Sequence, residues 1–418
     1  MNPQHPSAAL PTSGMTLSRP LAWRVLPVAR MTWGRFVHRL LHAALGAGMI
    51  WAVMPAFASG PTNAPAKNER GVAYHNDLVP EMPWSVHVVK LDRSRRDYAF
   101  TTSLGGGDVI GMSTLAEQVR TLPPAGGTPV SALNADYYHD ERNYVGDPRD
   151  VQIRNGELLS DPDGHACLWF DATGNPHSTN ITSQFRVTFP DGSTAPFGLN
   201  ELRPHDGAVL YTAAMGISTR TRGGRELVLE PVPGQPWLPL RAGQSLRARV
   251  REVREIGDTP LTTNSLVLSF GFKLAAQAPT LAAGAELTLL TATTPDLAGV
   301  TTAIGGGPKL ITNGKAWEWS GIQFRHPRSA IGWNDEHIFL VVVDGRQSNS
   351  VGMTFPELTG YLLKLGCREA LNFDGGGSTT MWVLGQVVNQ PSEGKERPGA
   401  NSLVLLRRPS AEPAPAKP

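Results

Sequence analysis

The clearest hydrophobic pattern in this chain lies near its C-terminus. His337-Ile338-Phe339-Leu340-Val341-Val342-Val343 is an unbroken apolar, β-branched run, which predicts a strand buried on both faces. Thr354 then opens a helix, with Pro356 in its first turn and Glu357 at the capping-box position. Leu358, Tyr361, Leu362 and Leu365 recur at helical spacing, and Gly366 ends the element. Ala370-Leu371-Asn372-Phe373 reads as the next short strand. Strand, helix and strand at this spacing predict a right-handed crossover joining parallel strands. Asp344 and Asp374 would then follow the C-terminal ends of both strands, on one edge of the sheet. If the strands are neighbours, the two acids lie within one or two strand spacings of ~4.8 Å.

Upstream, the period shortens to two. From Pro83 to about Phe170, runs such as Ser85-Val86-His87-Val88-Val89 alternate with turns, and one helical candidate falls near Ser113–Leu122. Residues 171–300 are almost all strand and turn, including Phe185–Phe189, Leu227–Leu229 and Ser265–Leu268 between Gly, Pro and Asp clusters. They read as a β-rich insertion. The pattern predicts an α+β fold: a mixed, β-rich sheet core, a strand-helix-strand crossover near the C-terminus, and the insertion. A polar linker is expected over 59–82, one domain over 83–408, and a disordered Pro/Ala tail over 409–418.

Composition changes the picture mainly at the N-terminus. The 418-residue chain has a formal charge of +2, but residues 1–58 hold Arg19, Arg24, Arg30, Arg35 and Arg39 and no acid. Without them 33 bases face 36 acids, a balance of −3, which offers no basic signature for nucleic acid. The basic stretch precedes an apolar run, Leu40–Met54, and then Ala56-Phe57-Ala58, the pattern of an export signal cleaved after Ala58. Met15 and Met31 are alternative starts, and an uncleaved anchor is the competing reading. The product expected is periplasmic or secreted, with no stable membrane anchor. Export would permit a disulfide between Cys167 and Cys367, and two buried free thiols fit equally well.

Candidate chemistry centres on Asp374-Gly375-Gly376-Gly377-Ser378-Thr379-Thr380. Three successive glycines are kept where positive φ or close approach is needed. Such a loop could aim N–H groups at an anion, beside the Ser378 and Thr379 hydroxyls; a flexible turn is the plainer reading. Gly305-Gly306-Gly307-Pro308-Lys309-Leu310 alone reads as a hairpin approach. Arg328 could fork onto a phosphate, or be an ordinary surface residue. Asn134-Ala135-Asp136-Tyr137-Tyr138 places amide, carboxylate and aromatic groups together, as a sugar site would want and as many a plain strand end also does. Glu357 satisfies its own helix start, so structure is the simpler role for it than substrate binding. His75, His87, His139, His165 and His326 show no ligand spacing, so neither a zinc site nor any other cofactor is expected; the acidic loops leave Ca²⁺ open.

Taken together these segments resemble the phosphodiester glycosidase family. The matching pieces are Leu133–Tyr138, Gly305–Leu310, His326–Gly332, Val343-Asp344-Gly345-Arg346, Gly352-Met353-Thr354 with Glu357-Leu358, Leu371–Thr379, and Arg397-Pro398 followed by Asn401. The family often has Asn-Gly-Gly-Phe-Phe where this chain has Asn134–Tyr138, and the loop Tyr138–Arg154 is heavily charged; both departures leave the substrate open. The resemblance implies hydrolysis at an anomeric carbon bearing a phosphate ester, on a glycan or sugar-phosphodiester substrate. It implies Asp374 or Asp344 as base or nucleophile, with Asn372 beside them. Arg328, Gly375, Gly376, Gly377, Ser378, Thr379, Asn134, Asp136, Gly306 and Glu357 would line the substrate and phosphate site.

Overall fold

The computed structural model describes residues 68–141 and 143–409. The expected export signal over 1–58, residues 59–67, Arg142 and the tail from residue 410 lie outside the described residues.

The strand His337–Val343 forms as the apolar run predicts. Ile338, Leu340 and Val342 enter one hydrophobic core, while Phe339, Val341 and Val343 enter another. That double burial explains why no polar residue interrupts the run. The helix Phe355–Lys364 carries the expected capping box, with Thr354 and Glu357 bonding reciprocally. Leu358 and Leu362 are buried against the sheet, each contributing about 1.5–3 kcal/mol.

The two strands flanking this helix run in the same direction but are not neighbours. Arg328–Trp333 lies between them, antiparallel to His337–Val343 and to Glu369–Asn372. It takes that place because the short turn 334–336 folds it back on its successor before the helix begins. Gly332 lets the helix end sit close to this middle strand, since a β-carbon there would stand 2.6 Å from Cys367 Sγ. The antiparallel strand has a consequence for the site. Its first residue, Arg328, pairs with Val343 and so comes to the same sheet edge as Asp344 and Asp374.

The full sheet has eight strands, and all its neighbouring pairs are antiparallel. A five-stranded sheet, including Tyr98–Leu104, Thr128–Asn134, Met381–Val383 and Asn401–Arg407, shares its core through Leu133, Leu403, Met381 and Phe373. A six-stranded sheet supplies Leu168 and Ile304 to that core. The strands between Arg186 and Leu290 pair only with one another in a further eight-stranded sheet, and it holds the one parallel pair among the described residues, Gly198–Leu199 with Ala208–Tyr211.

The linker expected over 59–82 is sheet in its described part. Val72–Val79 pairs with Trp84–Asp92 over eight residues. Val72 and Tyr74 are buried while Ala73, His75 and Asn76 face solvent; those outward-facing positions made the segment read as polar. Cys167 and Cys367 are both free and buried, and they belong to different cores.

Candidate active site

The loop after Asn372 is held in place from residues distant in sequence. Phe373 is fully buried in the shared core, and its N–H donates to Ser329 O at 2.8 Å. Asp374 N donates to Ala135 O at 2.8 Å. Asn134 completes the clamp: its Nδ2 donates to Asp374 O at 2.7 Å, and its Oδ1 accepts from Ser329 Oγ at 2.6 Å and Thr380 N at 3.1 Å. Every hydrogen-bonding atom of the Asn134 amide is thus used to position the loop rather than to meet a ligand.

Asp374 is half-buried, and only one of its carboxylate oxygens has a hydrogen-bond partner. Oδ1 accepts from Gly375 N at 2.9 Å; Oδ2 is uncommitted. Burial pushes the carboxyl pKa up, while Ser378, Gly375 N, Arg397 and Arg149 favour the ionised form. Tyr137 and Tyr138 flank it, and their phenols are pushed up by burial and by the Asp374 charge. The Arg149 guanidinium lies 4.3 Å over the Tyr137 ring and donates to Gly306 O at 2.8 Å. Tyr137 and Tyr138 belong to the segment the sequence marks as a sugar-site mixture; Arg149 carries no such mark, because it sits in the charged stretch after Tyr138, whose folding-back is not visible in sequence.

The glycines act by allowing close approach. Most of the N–H groups expected to form an anion nest are occupied: Gly375 N by Asp374, Gly376 N by Pro327 O at 3.0 Å, Ser378 N by Gly375 O at 3.2 Å, and Thr380 N by Asn134. A β-carbon at Gly375 would stand 2.7 Å from Pro327 O, at Gly376 3.0 Å from an Arg346 nitrogen, and at Gly377 2.1 Å from an Arg397 nitrogen. Guanidinium groups therefore supply the positive character the loop itself does not. Arg397 is ion-paired with Glu393 and feels the Asp374 charge. Arg346 has φ of +61°, an uncommon backbone for a non-glycine residue and one that collects at functional sites. Both arginines stand in the segments quoted for the family resemblance, and neither is marked by local pattern alone.

Arg328 is 8% exposed and stacks 3.9 Å over the Phe355 ring. Its Nε donates to Met353 O at 2.8 Å and one terminal nitrogen to Phe324 O at 3.1 Å. Among the described residues it has no carboxylate partner. A buried cation normally has one, so Arg328 is a cation suited to an incoming anion. Beside it the His326 imidazole has its pKa lowered by burial and by Arg328 and Arg346.

Other candidates are placed but engaged. Asp344 receives His87 Nε2 at 3.0 Å on Oδ2, and Asn389 Nδ2 at 3.1 Å and Gln390 N at 3.0 Å on Oδ1. It is 3% exposed, and its partners tie three segments together. Glu357 caps its helix and also receives Arg325 Nε at 3.1 Å. Asp136 is buried behind the site, accepts Asp150 N at 2.8 Å, and has its pKa raised well above the ordinary range by burial and then by Asp150. Gly305 packs against Asp136, and Gly306 lies against Asn372 O and Phe373. Among the described residues no group of three or more His, Cys, Asp or Glu is arranged to hold a metal ion.

The stretch 372–380 has one further property. Asn372 Oδ1 and the hydroxyls of Thr379 and Thr380 are buried and lack a protein hydrogen-bond partner, while the Ser378 hydroxyl favours the Asp374 charge. Buried polar atoms are nearly always paired, so three such atoms in nine residues mark a surface made for polar ligand groups. A carboxylate with a free oxygen, acted on by Arg149 and Arg397 and close in sequence to unpaired hydroxyls, makes this sheet edge an anion-accepting, carboxylate-centred site.

Comparison with known proteins narrows that class. Residues 259–406 match the phosphodiester glycosidase family, and that likeness supports a glycosidase-like hydrolase. An 88-residue stretch is 36% identical to an uncharacterised SPbeta prophage-derived protein of Bacillus subtilis strain 168, covering 21% of this chain and 14% of that protein. The fold is shared with the crystal structure of a hypothetical protein from Synechocystis, at a TM-score of 0.64 and 20% identity over 81% of this chain and 62% of that one. A Burkholderia pseudomallei structure classed as an exported protein aligns at a TM-score of 0.57 and 20% identity, over 77% of this chain and 74% of its own. The chain thus spans less than two thirds of the first two of these relatives.

Proposed function

We propose that this chain is an exported hydrolase that cleaves a sugar-1-phosphodiester in cell-envelope or extracellular glycans. The supporting observation is the uncommitted Asp374 oxygen, with Arg149 and Arg397 acting on its charge, Arg346 beside Gly376, Arg328 at the same sheet edge, and the unpaired hydroxyls of Thr379 and Thr380 close by in sequence. Water adds at the anomeric carbon, the bond from that carbon to the phosphate oxygen breaks, and the phosphate leaves as a monoester. A phosphate ester is a good leaving group, so a strong general acid matters less than in ordinary glycosidases. Arginines stabilise the charge that develops on it. Asp374 either activates the water or attacks the anomeric carbon first. Asp344 holds the surrounding loops rather than reacting, because both its oxygens are already engaged. Export rests on the N-terminal pattern ending at Ala58, and the family-like domain runs over 83–408 with its insertion near 171–300.

The direct test is hydrolysis by the secreted protein of a sugar-1-phosphodiester beside a nitrophenyl glycoside of the same sugar. Release of sugar and phosphomonoester from the first, lost in Asp374→Asn, supports the reading. Turnover of the phosphate-free glycoside alone would replace it with an ordinary glycosidase, and binding without turnover of either would make the protein a glycan-binding module. N-terminal sequencing of the secreted form should begin at Ser59.

A further inference from the structure

A cleft of about 590 Å³ opens next to Asn372, within the range of small-molecule sites. It touches the site through Tyr137, Gly306 and Gly307; Tyr137 Oη lies 3.4 Å from Asn372 Nδ2, and Gly307 O accepts that amide at 3.0 Å. Beyond them the wall changes character. Trp317 is a large apolar side chain, 56% exposed, and gives the cleft a free aromatic face. Lys309 makes no ion pair among the described residues, and Arg149 stands across from it with its counter-charge, Asp150, buried beneath. Asn180 and Thr312 add an amide and a hydroxyl at the rim.

We propose that this cleft is a subsite for an acidic sugar unit that continues the substrate beyond the scissile linkage. The inference rests on the hydrolase reading of the neighbouring site and names what that site's substrate carries. A pyranose presents an apolar face of C–H groups and a rim of hydroxyls. One aromatic face with amide and hydroxyl groups around it matches that shape. The charge of Lys309, which no acid offsets among the described residues, selects a carboxylate on the ring, with Arg149 held beside it by Asp150. The subsite explains why the stretch after Asn134 is rich in charge: it delivers Arg149 to the cleft while Tyr137 faces Asp374.

The test measures binding apart from turnover. Tetragalacturonate and its fully methyl-esterified form are titrated calorimetrically into the full secreted chain; neither contains a phosphodiester, so affinity is read whether or not the chain proves to be a phosphodiester glycosidase. The acid form should bind more tightly than the ester. Lys309→Ala should lower affinity for the acid form roughly fivefold, the upper end of an exposed charge pair, and leave the ester unchanged. Trp317→Ala should weaken both roughly tenfold, as loss of an aromatic contact does. Neither variant should alter kcat/KM on a short methyl sugar-1-phosphate, and both should melt like the parent because both side chains are solvent-accessible. Equal binding of acid and ester overturns the charge selection. Absence of binding by either, or binding of uridine monophosphate alone, overturns the sugar subsite. Retained oligomer binding without any phosphodiester turnover would keep the subsite and overturn the hydrolase reading.

Discussion

Asn134 Nδ2 donates to the main-chain carbonyl of Asp374 at 2.7 Å, joining residues 240 positions apart. That bond and the Ala135 carbonyl fix the backbone from which the Asp374 carboxylate projects. One carboxylate oxygen is then taken by the next residue's N–H and the other is left for chemistry.

The first expectation concerns Asp374. Asp374→Asn keeps an oxygen for Gly375 N, so the loop should stay folded while turnover on a sugar-1-phosphodiester nearly disappears. In the parent, burial raises the carboxyl pKa, and only the ionised form can act as base or nucleophile. The acid limb of the kcat/KM profile should therefore fall at a pH above that of an ordinary carboxylate near 3.8. A limb at or below the ordinary position would remove Asp374 from the reacting role.

Asp344 should behave in the opposite way. Asp344→Ala leaves His87, Asn389 and Gln390 without their shared acceptor, and breaking a buried pair from one side costs about 3–5 kcal/mol. Urea unfolding should show that loss, while the fraction that remains folded keeps most of its kcat. Normal stability with abolished turnover would make Asp344 a catalyst instead.

Arg328 offers a test of phosphate recognition. Arg328→Ala should reduce kcat/KM far more for a phosphodiester than for a phosphate-free glycoside. Arg328→Lys should restore only part, because an ammonium neither stacks flat on Phe355 nor keeps both carbonyl bonds while facing an anion. Equal losses on the two substrates would confine Arg328 to holding Met353 and Phe324.

Glu357→Gln should cost little activity. Glutamine still serves in a capping box, and loss of a cap altogether removes only about 1 kcal/mol. The measurable change should be a small drop in melting temperature from losing the Arg325 pair. An inactive but stable Glu357→Gln protein would promote the residue to the substrate site.

The acids behind the site predict a pH dependence of stability. Burial, reinforced by Glu201, raises the Asp147 carboxyl from 3.8 to about 9. Its folded form therefore holds a proton more tightly than its unfolded form. The stabilisation from that proton is complete below about pH 4 and drains away as the pH rises toward about 9. Asp147→Asn should flatten the decline in urea midpoint between pH 5 and pH 9. An unchanged slope would show that Asp147 is not the group responsible.

Much of this protein was legible in one dimension because its signals are local. The apolar run 337–343, the Thr354–Glu357 capping box, the Gly366 stop and the loop after Asn372 depend on neighbours within a few residues, and each forms where the pattern placed it. The strand Val72–Val79 does not stand out in sequence because only Val72 and Tyr74 in it are buried, so it carries a weak hydrophobic signal. Tertiary structure alone inserted Arg328–Trp333 between the two parallel-running strands, and thereby brought Arg328 to the edge that holds both aspartates. It also gave those aspartates different roles. Asp344 and Asp374 each follow a strand and precede a glycine, so sequence makes them equivalent; burial and donors from His87, Asn389 and Gln390 occupy the first, while the second keeps a free oxygen. Long-range packing chooses between two like carboxylates, because desolvation and hydrogen bonding come from whatever the fold brings near, and no spacing along the chain encodes that.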